Sequence, residues 1–128
     1  MPTVLVVDDE RPVRELTARM LQEAGYATIL AVDGLDAWRQ LGREATKVDA
    51  IVSDVVMPQM TGTELVARVQ AHRPELPILL MSGYSADDLR ARGLEQPPVP
   101  LLTKPFTHDE LVAAVARLLR APSKSRAS

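Results

Sequence analysis

Short apolar runs alternate along this chain with longer segments of helical period, and this alternation predicts an α/β fold of five strand–helix units around a parallel sheet. Two further observations sharpen that reading. The runs at Val4, Ile51 and Ile78 are almost wholly apolar, as strands are when helices cover both faces of a sheet, so they belong in its interior. Four runs also end on polar side chains of one chemical set: Asp8 and Asp9, Asp54, Ser82 and Lys104. In an open parallel sheet the carboxyl ends of the strands share one edge, and ligands bind in the crevice outside it, so these side chains are expected at one site.

The first strand is expected over Thr3–Val7. The first helix carries Val13, Leu16, Thr17, Met20, Leu21 and Ala24 at spacings of three and four, with Pro12 in its first turn and Gly25 beyond its end. A second strand over Ala27–Ala31 contains Thr28, which suits an edge. A helix near Leu35–Arg43 places Leu35, Trp38 and Leu41 for packing, and strands over Asp49–Ser53 and Pro77–Met81 bracket a helix at Thr63–His72. The segment Ser85–Arg92 is short, polar and thinly patterned, which marks the fourth helix as the one best able to move. The fifth strand, Val99–Leu102, contains Pro100, and because proline cannot donate a ladder hydrogen bond this strand belongs at an edge. The last helix shows Leu111, Ala114, Val115, Leu118 and Leu119 on one stripe, introduced by Thr107 with Glu110 three residues on as a capping box. The expected architecture is a doubly wound, flavodoxin-like three-layer sandwich with sheet order 2-1-3-4-5. A single domain is expected over residues 1–120, followed by a flexible tail at 121–128 rich in Pro, Ser, Lys, Arg and Ala.

With 128 residues, 46% of them hydrophobic, one domain can bury about two-thirds of its unfolded surface and a second has no room. The net charge of -2 and the lack of long basic runs argue against nucleic acid or an anionic membrane as the main partner. The absence of cysteine removes disulfides, thiolate metal sites and cysteine nucleophiles together. No apolar stretch approaches the ~18 residues of a membrane span, and no signal peptide follows Met1, so the chain reads as cytoplasmic.

Alone, Asp8-Asp9-Glu10 after a strand is a turn and helix-start feature, since acidic groups suit the positive end of a helix. Asp54 at the end of another central strand changes the balance. Three carboxylates in one crevice repel by several kcal/mol unless a cation or protons intervene. Hard oxygen ligands in an incomplete protein shell favour Mg²⁺, and the lack of a nearby His or Cys disfavours zinc. Lys104 supplies a compact positive charge and Ser82 a donor for a phosphoryl oxygen. Asp54 is then the candidate nucleophile, forming an aspartyl phosphate in a reaction that needs positioning and charge neutralisation rather than a general base. His72 and His108 are expected to be solvated at helix ends, Met57 and Met60 to pack in the loop beside Asp54, and Phe106 to anchor the last helix.

The acidic pair Asp8-Asp9, the segment Ser53-Asp54-Val55-Val56-Met57-Pro58 with Gly62, then Met81-Ser82-Gly83 and Lys104-Pro105-Phe106 resemble in order and placement the motifs of the CheY-like receiver domains of two-component response regulators. The resemblance runs from about Thr3 to Leu119. It implies that Asp54 accepts a phosphoryl group from a phosphohistidine of a histidine kinase or histidine phosphotransfer domain. It further implies that Asp9 and Asp54 bind Mg²⁺ directly, Asp8 largely through water and Val56 through its backbone carbonyl, and that the peptide before Pro105 is cis. It implies a switch in which Ser82 moves toward the phosphoryl group and a downstream effector reads the face formed by the fourth helix, fifth strand and fifth helix. The chain departs from the pattern three residues before the lysine, where the usual aromatic is Leu101. Tyr84 either substitutes for that aromatic or simply covers the pocket rim. Val56 and Tyr84 flank the path of attacking water without an amide or carboxylate to orient it, so self-dephosphorylation is expected to be slow.

Two rival functions carry less of the sequence. A Mg²⁺-dependent phosphatase of haloacid dehalogenase type places a second Asp two residues after its nucleophile, where this chain has Val56. An unphosphorylated interaction module has no use for the full set Asp8, Asp9, Asp54, Ser82 and Lys104. The chain reads either as a stand-alone receiver or as the receiver of a hybrid histidine kinase, and the Met81-Ser82-Gly83-Tyr84-Ser85 run resembles the latter group.

Overall fold

A computed structural model of the chain describes residues 1–44, 47–94 and 99–120. Strands β1 (Thr3–Val7), β2 (Ala27–Ala31), β3 (Ala50–Asp54), β4 (Ile78–Ser82) and β5 (Leu101–Thr103) alternate with helices α1 (Arg11–Glu23), α2 (Gly34–Glu44), α3 (Gly62–His72), α4 (Ala86–Ala91) and α5 (His108–Arg120). The strands form one parallel sheet in the order β2-β1-β3-β4-β5, the expected doubly wound topology.

The apolar strands are buried on both faces because successive side chains point to opposite sides. Leu5 and Val7 enter one layer with Ile51, Leu80, Leu65 of α3 and Leu89 of α4. Val4 and Val6 enter the other with Val52, Leu79, Met81, Leu21 of α1 and Leu111 and Val115 of α5. Trp38 of α2 packs against the first layer and Phe106 against the second, as expected. The capping box of α5 forms: Thr107 Oγ1 accepts from the Glu110 N–H at 3.1 Å, and Glu110 accepts from the Thr107 N–H at 2.8 Å. Thr61 and Glu64 cap α3 in the same way. Among the described residues, no helix is long and apolar enough to cross a membrane.

Several boundaries differ from the sequence reading, each for an identifiable reason. β3 and β4 each start and end one residue later than expected, because parallel pairing continues to Asp54 opposite Met81 and to Ser82 opposite Thr103. The two polar side chains thus belong to the strands themselves. Asp49 stays outside β3; its carboxylate accepts from the Thr3 N–H at 2.7 Å. Pro100 lies just before β5, where its carbonyl accepts from the Leu80 N–H at 2.9 Å, so the edge position holds. Leu16 was expected on the buried stripe of α1 but is 50% exposed, the buried line running instead through Thr17, Ala18 and Leu21. The expected tail at 121–128 lies outside the described residues.

Candidate functional site

Asp8 immediately follows β1, and its buried carboxylate accepts from two donors. One oxygen accepts from the Glu10 N–H at 2.9 Å, the helix-start role of an acidic turn. The other lies 3.2 Å from the Lys104 ammonium. Asp9, next in the chain, is exposed. Asp54 is the last residue of β3 and 7% exposed; its Oδ1 accepts from the Val55 N–H at 3.1 Å and sits 3.4 Å from the Lys104 nitrogen. One oxygen each of Asp8, Asp9 and Asp54 lies within 4.8 Å of the others, forming among the described residues the single acidic cluster with metal-binding spacing.

The local backbone explains why these groups converge. After Asp54 the chain turns back so that the Gly62 N–H donates to the Val55 carbonyl at 2.7 Å. A Cβ at Gly62 would overlap the Asp54 carbonyl oxygen, so this close approach requires glycine. The N–H of Lys104 donates to the Ser82 carbonyl at 2.7 Å, and the Lys104–Pro105 peptide is cis. Ser82, buried at the end of β4, accepts the Tyr84 N–H on its Oγ at 2.9 Å. Asp9, Glu10, Asp54, Val56, Ser82, Gly83, Tyr84 and Lys104 line a cavity of about 550 Å³ at this sheet edge.

Electrostatics at the site is unbalanced. Burial is the main cause that raises the Asp54 carboxyl to about 6, with Asp8 adding to it and Lys104 and the Val55 amide opposing. Lys104 responds the other way. Burial works against its charge, but the carboxylates of Asp54 and Asp8 outweigh that and raise it above its ordinary value. The two shifts agree physically, since the ammonium meets two anions whereas Asp54 meets one cation, one anion and a loss of solvent. The cluster therefore has anionic capacity beyond what Lys104 neutralises, and its all-oxygen donors fit a hard divalent cation.

Other singled-out residues lie apart from this cluster. Leu101 in β5 is half-buried and packs against the apolar layer under α2 and α3. Exposed His72 is not simply solvated: its ring meets Trp38 edge-on at 5.1 Å and its Nδ1 lies 3.0 Å from the Arg68 carbonyl. His108 is half-exposed, 3.8 Å from Glu23. Sequence reasoning missed Glu10 as a wall of the cavity and missed Arg14, whose guanidinium donates to the Asp8 carbonyl at 2.8 Å. Only the position of Glu10 beside the acidic pair was available as a signal.

The response regulator receiver domain profile matches residues 4–116. Response regulator MprA of Mycobacterium leprae is 38% identical over 117 residues, which cover 91% of this chain and 50% of that protein. The chain thus spans about half the length of the curated relatives it matches. Among solved structures, the receiver domain of the hybrid histidine kinase CckA superimposes with a TM-score of 0.77 at 30% identity, covering 92% of this chain and 99% of that one. The response regulator TrrA of Thermotoga maritima, solved in complex with Mg²⁺-BeF, gives a TM-score of 0.78 at 31% identity and covers 93% and 100%.

Proposed function

The chain belongs to the response regulator receiver domain family, and from that premise we propose that it is a cytoplasmic phosphoacceptor whose Asp54 takes a phosphoryl group from a histidine kinase or histidine phosphotransfer domain. The observation that carries this reading is the placement of Lys104 between Asp8 and Asp54, 3.2 and 3.4 Å from their oxygens, beside a third carboxylate at the mouth of the pocket. With the excess negative charge of the carboxylates met by a divalent cation, this ammonium is placed to receive a phosphoryl oxygen.

In the proposed step an Asp54 oxygen attacks the phosphorus of the donor. The new O–P bond forms as the N–P bond breaks, and the electron pair leaves on the imidazole nitrogen. Mg²⁺ would be held by Asp9, Asp54 and the Val56 carbonyl, with Asp8 acting through water, and when bound it supplies neutralisation of charge on the transferring group. Lys104 exchanges part of its contact with Asp54 for a phosphoryl oxygen. Ser82 keeps the Tyr84 N–H on its oxygen and turns its own proton toward the phosphoryl group, which links the chemistry to the loop before α4. An effector then reads α4, β5 and α5. Leu101 removes the usual aromatic from this relay, and Tyr84 at the rim is the aromatic that remains. Exposed Val56 offers no group to orient water, so the phosphorylated form is long-lived.

Incubation with Mg²⁺ and acetyl phosphate, read by intact mass, tests this reading. One phosphoryl group is expected on the wild-type chain and none on Asp54→Asn; equal loading of both would refute it.

A further inference from the structure

α4 is only six residues long, about 9 Å, and Leu89 is its one buried side chain. Ser85 caps its first turn by accepting the Asp88 N–H at 3.1 Å, and Gly93, with φ of 80°, ends it. The residues just outside the two ends meet across the helix. Tyr84 precedes the Ser85 cap, Arg92 follows the last helical residue, and the Arg92 guanidinium carbon stands 4.0 Å from the centre of the Tyr84 ring. A cation over an aromatic face at this distance is attracted by the ring quadrupole, and guanidinium also stacks flat on the ring.

Tyr84 belongs to two structures at once. Its backbone N–H is held by the Ser82 hydroxyl and its side chain lines the cavity above Asp54. Arg92 does not line that cavity. We propose that Arg92 is a positioning residue for the pocket: by stacking on Tyr84 it straps α4 to the loop after β4 and holds the ring at the rim, so that the placement of α4 sets access of water and small donors to Asp54. This rests on the reading of Asp54 as phosphoacceptor. With α4 anchored by Leu89 alone, any turn of the helix against β4 either breaks the stack or carries the Tyr84 ring with it. When the stack breaks, the ring leaves the rim and Asp54 becomes more accessible.

The test compares the wild-type chain with Arg92→Gln, Arg92→Lys, Tyr84→Phe and Tyr84→Ala. In the NMR spectrum of the unphosphorylated protein, Arg92 side-chain protons are expected to be ring-current shifted in the wild type and Tyr84→Phe and to lose that shift in Tyr84→Ala. After loading with Mg²⁺ and acetyl phosphate, Arg92→Gln and Tyr84→Ala are each expected to shorten the phosphorylated lifetime by about two- to fivefold, the range of an exposed cation–π contact. Arg92→Lys and Tyr84→Phe should retain most of it. The Arg92→Gln/Tyr84→Ala double variant should be no faster than Tyr84→Ala alone. Additive effects, an unchanged lifetime in Arg92→Gln, or no ring-current shift in the wild type would overturn the proposal. Failure of any chain to load would instead strike at the phosphoacceptor reading. Should Arg92→Gln fold poorly, Arg92→Met, which keeps an apolar side chain without the charge, replaces it with the same expected shortening of about two- to fivefold, and an unchanged lifetime in that variant would overturn the proposal.

Discussion

The two halves of the sheet edge are built to different standards. On the β1–β3 side the carboxylates end or directly follow strands buried along nearly their whole length, and Gly62 fixes the Asp54 backbone by an approach too close for a side chain. On the β4–α4–β5 side, β4 is equally buried, but α4 has one buried residue and β5 has three residues with none fully buried. The difference teaches where each task is housed. The carboxylates need to be held to fractions of an ångström, and they lie on the deep core, while Lys104 reaches them from the end of β5. The proposed response needs an element whose displacement costs little, and the thin side offers one.

The largest expected effect removes the cation that the rigid side is built around. Lys104→Ala should slow loading from acetyl phosphate by roughly 100-fold, on the scale of losing one preorganised charge donor. Phosphorylation within threefold of wild type would mean that the lysine is only a structural counter-ion.

The contrast between the sides can be broken next by truncating matched leucines. Leu65 of α3 and Leu89 of α4 are both fully buried. Leu65→Ala should lower the global unfolding free energy by about 3 kcal/mol in urea titration. Leu89→Ala should act first as local opening, seen as faster hydrogen exchange confined to α4 while exchange in β1 and β3 amides is much less affected. Equal global losses with uniform exchange would erase the distinction between the sides.

Asp54 sharpens it further through pH. Its folded-state carboxyl is raised from 3.8 to about 6, so the folded chain binds this proton more tightly than the unfolded chain. The favourable contribution is complete below 3.8 and is lost as pH rises through about 6. Without divalent cations, Asp54→Asn should therefore be more stable than wild type at pH 7.5, by ~2 kcal/mol, and the gap should close near pH 4. Mg²⁺ titrated by calorimetry should bind more weakly as pH falls below about 6, since a protonated Asp54 cannot serve as ligand. A pH-independent gap would remove the electrostatic account.

The smallest expected change is at the rim. Val56→Asn supplies an amide beside the water path and should shorten the phosphorylated lifetime by about threefold to tenfold. A lifetime of seconds in the wild type, or no change in Val56→Asn, would contradict the slow hydrolysis proposed here.

The deep side was legible in the sequence because its causes are local in the chain. Wholly apolar runs at Val4, Ile51 and Ile78 announced doubly covered strands, and the polar residues ending them announced a shared edge. The one-residue extensions of β3 and β4 were not legible, since they depend on which neighbour each strand pairs with. Leu16 followed the helical period of its neighbours, yet period alone does not say how far a core extends around a helix. The Arg92–Tyr84 stack was hidden for a similar reason. Eight positions separate the two residues, and only the termination of α4 brings the guanidinium back over the ring. His72 likewise looked like a solvated helix end until α2 placed Trp38 beside it.

The central claim is that the Asp8, Asp9 and Asp54 cluster with Lys104 is a cation-assisted phosphoryl site. The most direct measurement is a ¹H–¹⁵N spectrum recorded with Mg²⁺ alone and then with Mg²⁺ and beryllofluoride. The account predicts that Mg²⁺ shifts amides at 8–10 and 54–56, and that beryllofluoride extends the shifts to Ser82–Ser85, α4 and Lys104, with neither response in Asp54→Asn. Shifts absent from the wild type, or equal in Asp54→Asn, would contradict it.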